Sequence, residues 1–313
     1  MNLRPALLSL ALLSALPVAA HAERGFEVRD LAKLDRVSSP VLSPDGRKVV
    51  FAKRVVDFAA NKSATSLWIE DLFARDAAPP VRLTPEGWNV NSPEYAADGA
   101  HVYFLSAKSG SMQLYAIPVA GGAPVQLTDL PVDVGAFKVS PDGKQVALAL
   151  EAYADCKADL ACTVKQDKDK TATKASGKVF DHLFIRHWDA WNEGKLNRVF
   201  VAPMGGAKIT QATLVGSDVI GDVPSRPFGD AGEFAWSPDG KALVLSARKS
   251  DGHEPWSTNF DLYLVNADGT GAAKNLTAAN PAWDTGPVFA KDGKTLYYRA
   301  MKRPGFEADR FAL

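Results

Sequence analysis

Short apolar runs recur along this chain, separated by polar turns, and they recur in a fixed order. Lys48-Val49-Val50-Phe51-Ala52-Lys53 is followed by Ser66-Leu67-Trp68-Ile69-Glu70 and then by Val81-Arg82-Leu83-Thr84. The same succession returns as His101 to Leu105, Gln113 to Ile117 and Val125 to Thr128, and again as Ala242 to Leu245, Asp261 to Val265 and Asn275 to Thr277. Runs this short, rich in β-branched and aromatic residues and bounded by turn residues, predict strands.

A tetrapeptide introduces each unit. Ser43-Pro44-Asp45-Gly46, Ser140-Pro141-Asp142-Gly143 and Ser237-Pro238-Asp239-Gly240 are identical, and Ala96-Ala97-Asp98-Gly99 and Ala290-Lys291-Asp292-Gly293 keep the Asp-Gly. Pro presets φ, Asp suits the third turn position and Gly accepts positive φ, so each copy predicts the tip between two strands. The Asp-to-Asp intervals are 53, 44, 97 and 53 residues. A strand-built period of roughly 40–50 residues predicts the blades of a β-propeller. The fold class expected is therefore all-β, a propeller of four-stranded blades with about four and a half blades present.

Two units depart from the rhythm. The third, opened by the alternating strand Gln145 to Leu150, carries a polar insertion from about residue 151 to 178 before strands resume at Val179 and continue through Arg198 to Ala202. Within it Lys165-Gln166-Asp167-Lys168-Asp169-Lys170 has no apolar period and reads as a solvated loop or excursion. Gly205 to Phe234 is loop-rich, with no strands placed. The fifth unit offers one strand, Lys294 to Arg299, and the start of a second at Arg310 to Leu313. A ring must close or leave an edge exposed, so a fragment of a longer protein is expected.

The N-terminus stands outside the pattern. Arg4, the apolar stretch Ala6 to Ala19 and the small residues of Ala20-His21-Ala22 predict a signal peptide over residues 1–22. Residues 23–39 then form a lead-in with a short helix around Val28–Leu34, and residues 40–313 the incomplete propeller. The expected address is the periplasm or outside the cell. There Cys156 and Cys162 are expected to form a local disulfide, the alternative being two free thiols.

Composition narrows the partners. The chain has 313 residues, 46% hydrophobic, with 36 basic and 36 acidic side chains. Zero formal charge gives no electrostatic argument for nucleic acid or, after signal cleavage, for a membrane. No cofactor is implied. Asn61-Lys62-Ser63 and Asn275-Leu276-Thr277 match a glycosylation sequon, a pattern without meaning in most bacterial proteins.

Chemistry concentrates in Asp181-His182-Leu183-Phe184-Ile185-Arg186-His187-Trp188-Asp189-Ala190-Trp191. Arg186 could hold a carboxylate or carbonyl, Asp189 a cationic amine and Trp188 an apolar side chain, which together would suit a short peptide. On residue types alone the structural alternative is favoured, aromatics packed between blades with Arg186 and Asp189 as an ion pair. His182 and His187, five apart, match neither a strand face nor a helix face, so no metal is expected. No Gly-x-Ser-x-Gly occurs, and His253 sits near Asp251 and Glu254 with no nucleophile. No catalytic residue is assigned within these 313 positions.

The signal peptide, the helix leading into Arg36-Val37-Ser38-Ser39-Pro40, and Ser43-Pro44-Asp45-Gly46 resemble the start of exported prolyl oligopeptidase-family serine peptidases. Arg186-His187-Trp188-Asp189-Ala190-Trp191 after a cysteine-bearing insertion is similar to the dipeptidyl-peptidase V and acylaminoacyl-peptidase branch. The resemblance implies a propeller that admits short peptides to a C-terminal α/β-hydrolase domain carrying the Ser, Asp and His. That domain is not among these residues, and Arg186, Trp188 and Asp189 are the positions nominated for substrate contact. The alternative is a non-catalytic periplasmic propeller that binds other proteins.

Overall fold

Every Asp-Gly tip closes a hairpin, and the hairpins build sheets. The computed structural model describes residues 24–74, 78–180, 183 and 185–313. The signal-peptide segment therefore lies outside the described residues. After a short helix α1 (Val28–Lys33), the first sheet comprises β1 (Arg36–Leu42), β2 (Lys48–Asp57), β3 (Lys62–Asp71) and β4 (Val81–Arg82). The second is β5 (Val90–Tyr95), β6 (His101–Ser106), β7 (Gln113–Pro118) and β8 (Val125–Gln126). In the third, β9 (Val134–Val139) and β10 (Gln145–Tyr153) precede an excursion made of helix α2 (Leu160–Ala172) and a small hairpin, β11 (Arg186–His187) with β12 (Ala190–Trp191). The chain then returns as β13 (Lys195–Pro203) and β14 (Thr213–Leu214) to finish that sheet. The fourth holds β15 (Phe234–Trp236), β16 (Ala242–Ala247), β17 (Asp261–Asn266) and β18 (Lys274–Asn275). In the fifth, β19 (Asp284–Phe289) pairs with β20 (Leu296–Ala300), and Ala312 bridges Ala300 as the second strand pair begins. All strand pairs within the blades are antiparallel neighbours, as expected of a propeller.

The turn chemistry is the same in each full copy. Ser43 Oγ donates to Asp45 Oδ1 at 2.6 Å and accepts from Lys48 N at 2.9 Å, while Arg47 N donates to the same carboxylate at 3.0 Å. Ser140 and Ser237 repeat the triplet. Gly46, Gly143 and Gly240 take φ of 69°, 70° and 68°, the left-handed region that glycine enters without strain. The Ser hydroxyl first, then the backbone N–H two residues on, holds Asp45, Asp142 and Asp239 below the usual carboxylate range. Their contribution to stability is thus present above the unfolded carboxylate range and lost as pH falls through the depressed values. The Ala96 and Ala290 copies keep the backbone frame and the Asp-to-backbone bond but have no hydroxyl to bridge it. Ser140→Ala, which strips one such bridge at a buried position, is expected to lower the unfolding free energy by about 1 kcal/mol in urea titration. An unchanged midpoint would make the serine dispensable.

The core lies between blades rather than inside them. Val50, Leu67, Val102, Phe104 and Ile117 pack the first blade on the second. Leu105, Leu114, Leu148 and Phe200 pack the second on the third, and Val199, Phe234, Leu243 and Val265 the third on the fourth. Around the axis the innermost strands are laced together by side chains. Glu94 accepts from Val139 N at 3.3 Å, Lys138 Nζ donates to Phe234 O at 2.7 Å, and Trp236 Nε1 donates to Lys138 O at 2.9 Å.

Two expectations about the insertion change in detail. Of the loop or excursion read for Lys165 to Lys170, the structure has the excursion, and these residues are not a loop but the body of α2. Asp159 caps it, accepting from Ala161 N and Cys162 N, and Lys165 pairs with Asp169 one turn on. The helix buries only Leu160 and Thr163, which is why no apolar stripe announces it. Nor do strands resume at Val179, since residues 174–180 are irregular and β13 starts at Lys195. The stretch in which no strand could be placed contains β14.

Candidate functional site

In a four-stranded meander the first-to-second and third-to-fourth turns share one face of the ring, and the second-to-third and blade-to-blade connections share the other. The Ser-Pro-Asp-Gly tips occupy the first face and stack from blade to blade. A Cβ added at Gly99 would lie 3.4 Å from Pro44 Cδ, and one at Gly293 3.6 Å from Pro238 Cγ. The opposite face receives the excursion of the third blade, the connection into the fourth, and the long β16–β17 loop.

The excursion is built to hold a hairpin still. Cys156 and Cys162 form the disulfide, with Cα atoms 5.6 Å apart, at the foot of α2. Thr163 Oγ1 accepts from Tyr153 N, Tyr153 OH donates to Asp167 at 2.9 Å, and Asp167 also pairs with Lys195 at 3.3 Å. Burial, and the bond to Asp167 after it, raises the Tyr153 phenol well above its ordinary value, so it remains a donor. From the helix's last turn Lys170 Nζ donates to Glu193 O at 2.9 Å, and Lys178 pairs with the Glu193 carboxylate. Glu193 lies just past β12, so the helix grips the base of the hairpin.

At the other end stand the nominated residues. Arg186 pairs with Trp191 and His187 with Ala190, leaving Trp188 and Asp189 as a two-residue turn. Trp188 has φ of 50°, at the first position of a turn where glycine is the favoured residue. Its indole is 70% exposed and meets Phe228, itself 75% exposed, edge to face at 5.4 Å. Trp191 stacks on Phe180 at 5.6 Å. Arg186 and Asp189 are both exposed, and among the described residues no ion pair joins them. The structure therefore places Arg186, Trp188 and Asp189 on one hairpin, with Trp188 directed to solvent rather than packed between blades. Asp181 and His182, the latter weighed as a metal ligand, lie outside the described residues. His253 is in the β16–β17 loop, its Nδ1 3.2 Å from Asp251 Oδ1.

Beside the hairpin is a cavity of about 80 Å³ lined by His187 and Trp191, by Asp222, Ser225 and Arg226 of the blade connection, and by Arg248, Glu254 and Phe260 of the fourth blade. Its charges are set against one another. Arg226 Nε bonds Asp222 at 2.9 Å and its NH1 reaches Glu151 at 3.2 Å, while Arg248 NH1 donates to Ser257 O at 3.0 Å. Burial pushes Asp222 up despite Arg226, and burial pulls Arg248 down despite Glu254. A charge-compensated floor under an aromatic rim can position a small zwitterion.

The connection itself is rigid. Val223 N donates to Asn197 O at 2.9 Å, and Ser225 N and Oγ donate to Glu233 at 2.6 and 2.7 Å. Gly229 N returns to Ser225 O at 2.8 Å, and a Cβ at Gly229 would fall 2.4 Å from Ser225 backbone atoms. Sequence reasoning missed Asp222, Arg226 and Phe228, because their neighbours within the long structureless stretch carry no period. The available signal was the density of Pro and Gly in Gly221 to Gly229, which marks a tight loop rather than a linker.

No protein-family model matches the chain. Relatives by sequence are dipeptidyl-peptidase 5 of Porphyromonas endodontalis, 31% identical over 284 residues, and dipeptidyl-peptidase 5 of Porphyromonas gingivalis, 32% identical over 279. These matches take in 90% and 88% of this chain, and the chain spans 39% of each relative's length. Among solved structures, the Pyrococcus horikoshii acylaminoacyl peptidase superposes with a TM-score of 0.56 at 12% identity, over 86% of this chain and 36% of that one. The structural likeness carries the fold and the sequence likeness the kinship. Together they make the chain a β-propeller of the prolyl oligopeptidase family of serine peptidases, similar to the propeller part of dipeptidyl-peptidase 5.

Proposed function

We propose that this chain is the substrate-admitting propeller of an exported serine exopeptidase, which hydrolyses peptide bonds of short peptides and releases dipeptides or acylated residues. The observation that carries the reading is the sequence likeness to dipeptidyl-peptidase 5 across nine-tenths of the chain. In this reading a Ser–His–Asp α/β-hydrolase domain, C-terminal to the propeller, attacks the carbonyl. The hairpin of the third blade presents Asp189 to the peptide's ammonium group, Arg186 to a carbonyl or carboxylate, and Trp188 to an apolar side chain. Export rests on the N-terminal pattern of residues 1–22 and fits a disulfide between Cys156 and Cys162. Residues 23–39 then serve as lead-in and residues 40–313 as blades. A non-catalytic scaffold is not favoured, because the relatives matched over about nine-tenths of this chain carry the name dipeptidyl-peptidase 5.

The test has two arms. The 313-residue chain alone is expected to hydrolyse no chromogenic dipeptide substrate, since it contains no Gly-x-Ser-x-Gly. In the two-domain protein, Asp189→Asn is expected to raise KM for a free-amine dipeptide substrate about tenfold, the worth of one charge-assisted bond. Turnover by the isolated chain, or a downstream coding sequence lacking Gly-x-Ser-x-Gly, overturns the reading.

A further inference from the structure

Two aromatic side chains meet in solvent on this face, and neither belongs to the core. Trp188 and Phe228 are 70% and 75% exposed, yet they touch edge to face at 5.4 Å. Each is presented by an element that holds it there. Trp188 occupies a left-handed turn position, φ 50°, that a non-glycine residue enters only under strain. Phe228 sits on the loop fixed by the bonds of Ser225 to Glu233 and of Gly229 to Ser225. A strained turn and a rigid loop that together expose two large apolar rings describe a binding surface prepared before its ligand arrives.

We infer that Trp188 and Phe228 form an aromatic shelf that selects an apolar side chain on the N-terminal residue of the peptide. The inference rests on the peptidase reading and adds a specificity to it. The occupant is set by the turn itself, because Asp189 follows Trp188 directly and is exposed. An ammonium group held by the Asp189 carboxylate places the side chain of that same residue beside the indole. Phe228 closes the far side, so a branched or aromatic side chain gains contact with both rings while glycine gains none. The charged floor of the adjoining cavity, where Arg226 and Asp222 are already paired, offers a polar side chain no such gain.

Calorimetric binding of Phe-Ala-amide and Gly-Gly-amide to the 313-residue chain tests this. The wild type is expected to bind the phenylalanyl peptide the more tightly, and acetylating its amine is expected to weaken it. Phe228→Ala is expected to reduce that affinity about tenfold and to change Gly-Gly-amide binding less than about twofold, as for loss of one aromatic contact. Trp188→Gly is expected to abolish the selectivity with an unfolding midpoint equal to or above the wild type's, since glycine relieves the left-handed strain. A midpoint lowered by Trp188→Gly makes the indole structural and overturns the shelf. Equal losses for both peptides in Phe228→Ala overturn the selectivity while leaving peptide binding at the hairpin in place. Failure of the wild type to bind either peptide removes the peptidase reading of the hairpin and the shelf with it.

Discussion

Thr128→Val is expected to lower the unfolding free energy by about 2–4 kcal/mol, although it replaces one buried side chain by another of the same shape. Thr128 is completely buried. Its hydroxyl accepts from Leu114 N at 2.8 Å and donates to Gln113 Oε1 at 2.7 Å, and the same Gln113 oxygen accepts from Leu130 N at 3.1 Å. Leu114 O meanwhile takes Leu127 N at 2.8 Å. The hydroxyl therefore stands where the outer strand would otherwise supply a carbonyl. Valine removes it and leaves Leu114 N and part of Gln113 without partners in an interior that water does not enter. Thr84 and Thr277 play the same part toward Leu67 N and Leu262 N, at 3.0 and 2.9 Å. Thr128 bears more because its own strand also joins the next blade, through Asp129 N to Ile209 O at 2.7 Å and Ile209 N to Leu127 O at 2.8 Å. Urea titration of Thr128→Val and Thr128→Ser checks the account. Serine should keep most of the stability, and a valine variant within about 0.5 kcal/mol of wild type would sink it.

That threonine explains why the blades could be read from the chain at all. Leu83-Thr84, Leu127-Thr128 and Leu276-Thr277 recur because each closes the same ladder with a side chain, and Ser-Pro-Asp-Gly recurs because each copy folds onto its own backbone. Both motifs are local, and local chemistry leaves a mark in sequence. The innermost strands left a fainter one. Ser39-Pro40, Ser92-Pro93 and Gly286-Pro287 stand six residues before the Asp of their turns, and Ser39, Ser92 and Gly286 take φ of 51°, 51° and 64°. There the register gains a residue, between Ser38 and Val41, Asn91 and Glu94, and Thr285 and Val288. Proline tolerates a bulge beside an axis where no ladder donor is required, so a residue that usually argues against a strand here marks one. The site divides along the same line. Arg186, Trp188 and Asp189 are adjacent in sequence and could be named from it, whereas Phe228 reaches Trp188 only through the packing of a blade connection, which no spacing records. Helix α2 was missed because polar bonds and a disulfide secure it rather than an apolar face.

The lacing around the axis has a pH dependence that a single substitution should erase. Glu94, partly buried on β5, is pushed up to about 7 by burial, against the opposing pull of its bond from Val139 N and of the Lys138 charge. Lys138 is pulled down by burial for the same reason, and Tyr103 on the neighbouring strand is raised by burial first and by Asp98 and Glu94 after it. A carboxyl whose folded pKa exceeds its unfolded value stabilises the fold below the unfolded value and loses that stability as pH rises through the folded one. For Glu94 the window runs from the ordinary carboxylate value of 4.5 to about 7. Each unit of displacement corresponds to about 1.4 kcal/mol, and the partial exposure of Glu94 offsets part of it, so about 2 kcal/mol should disappear across that window. Glu94→Gln keeps an oxygen for Val139 N and removes the titration. Its stability relative to wild type is expected to be near zero at pH 5 and to rise to about +2 kcal/mol at pH 8. Urea titrations of both proteins at the two pH values decide it, because the titrating groups that do not face Glu94 contribute equally to both and cancel in the difference. A difference that does not grow with pH would mean that Glu94 is charged throughout the range, held so by Lys138. The blades would then be joined at the axis by an ion pair rather than by a neutral hydrogen bond.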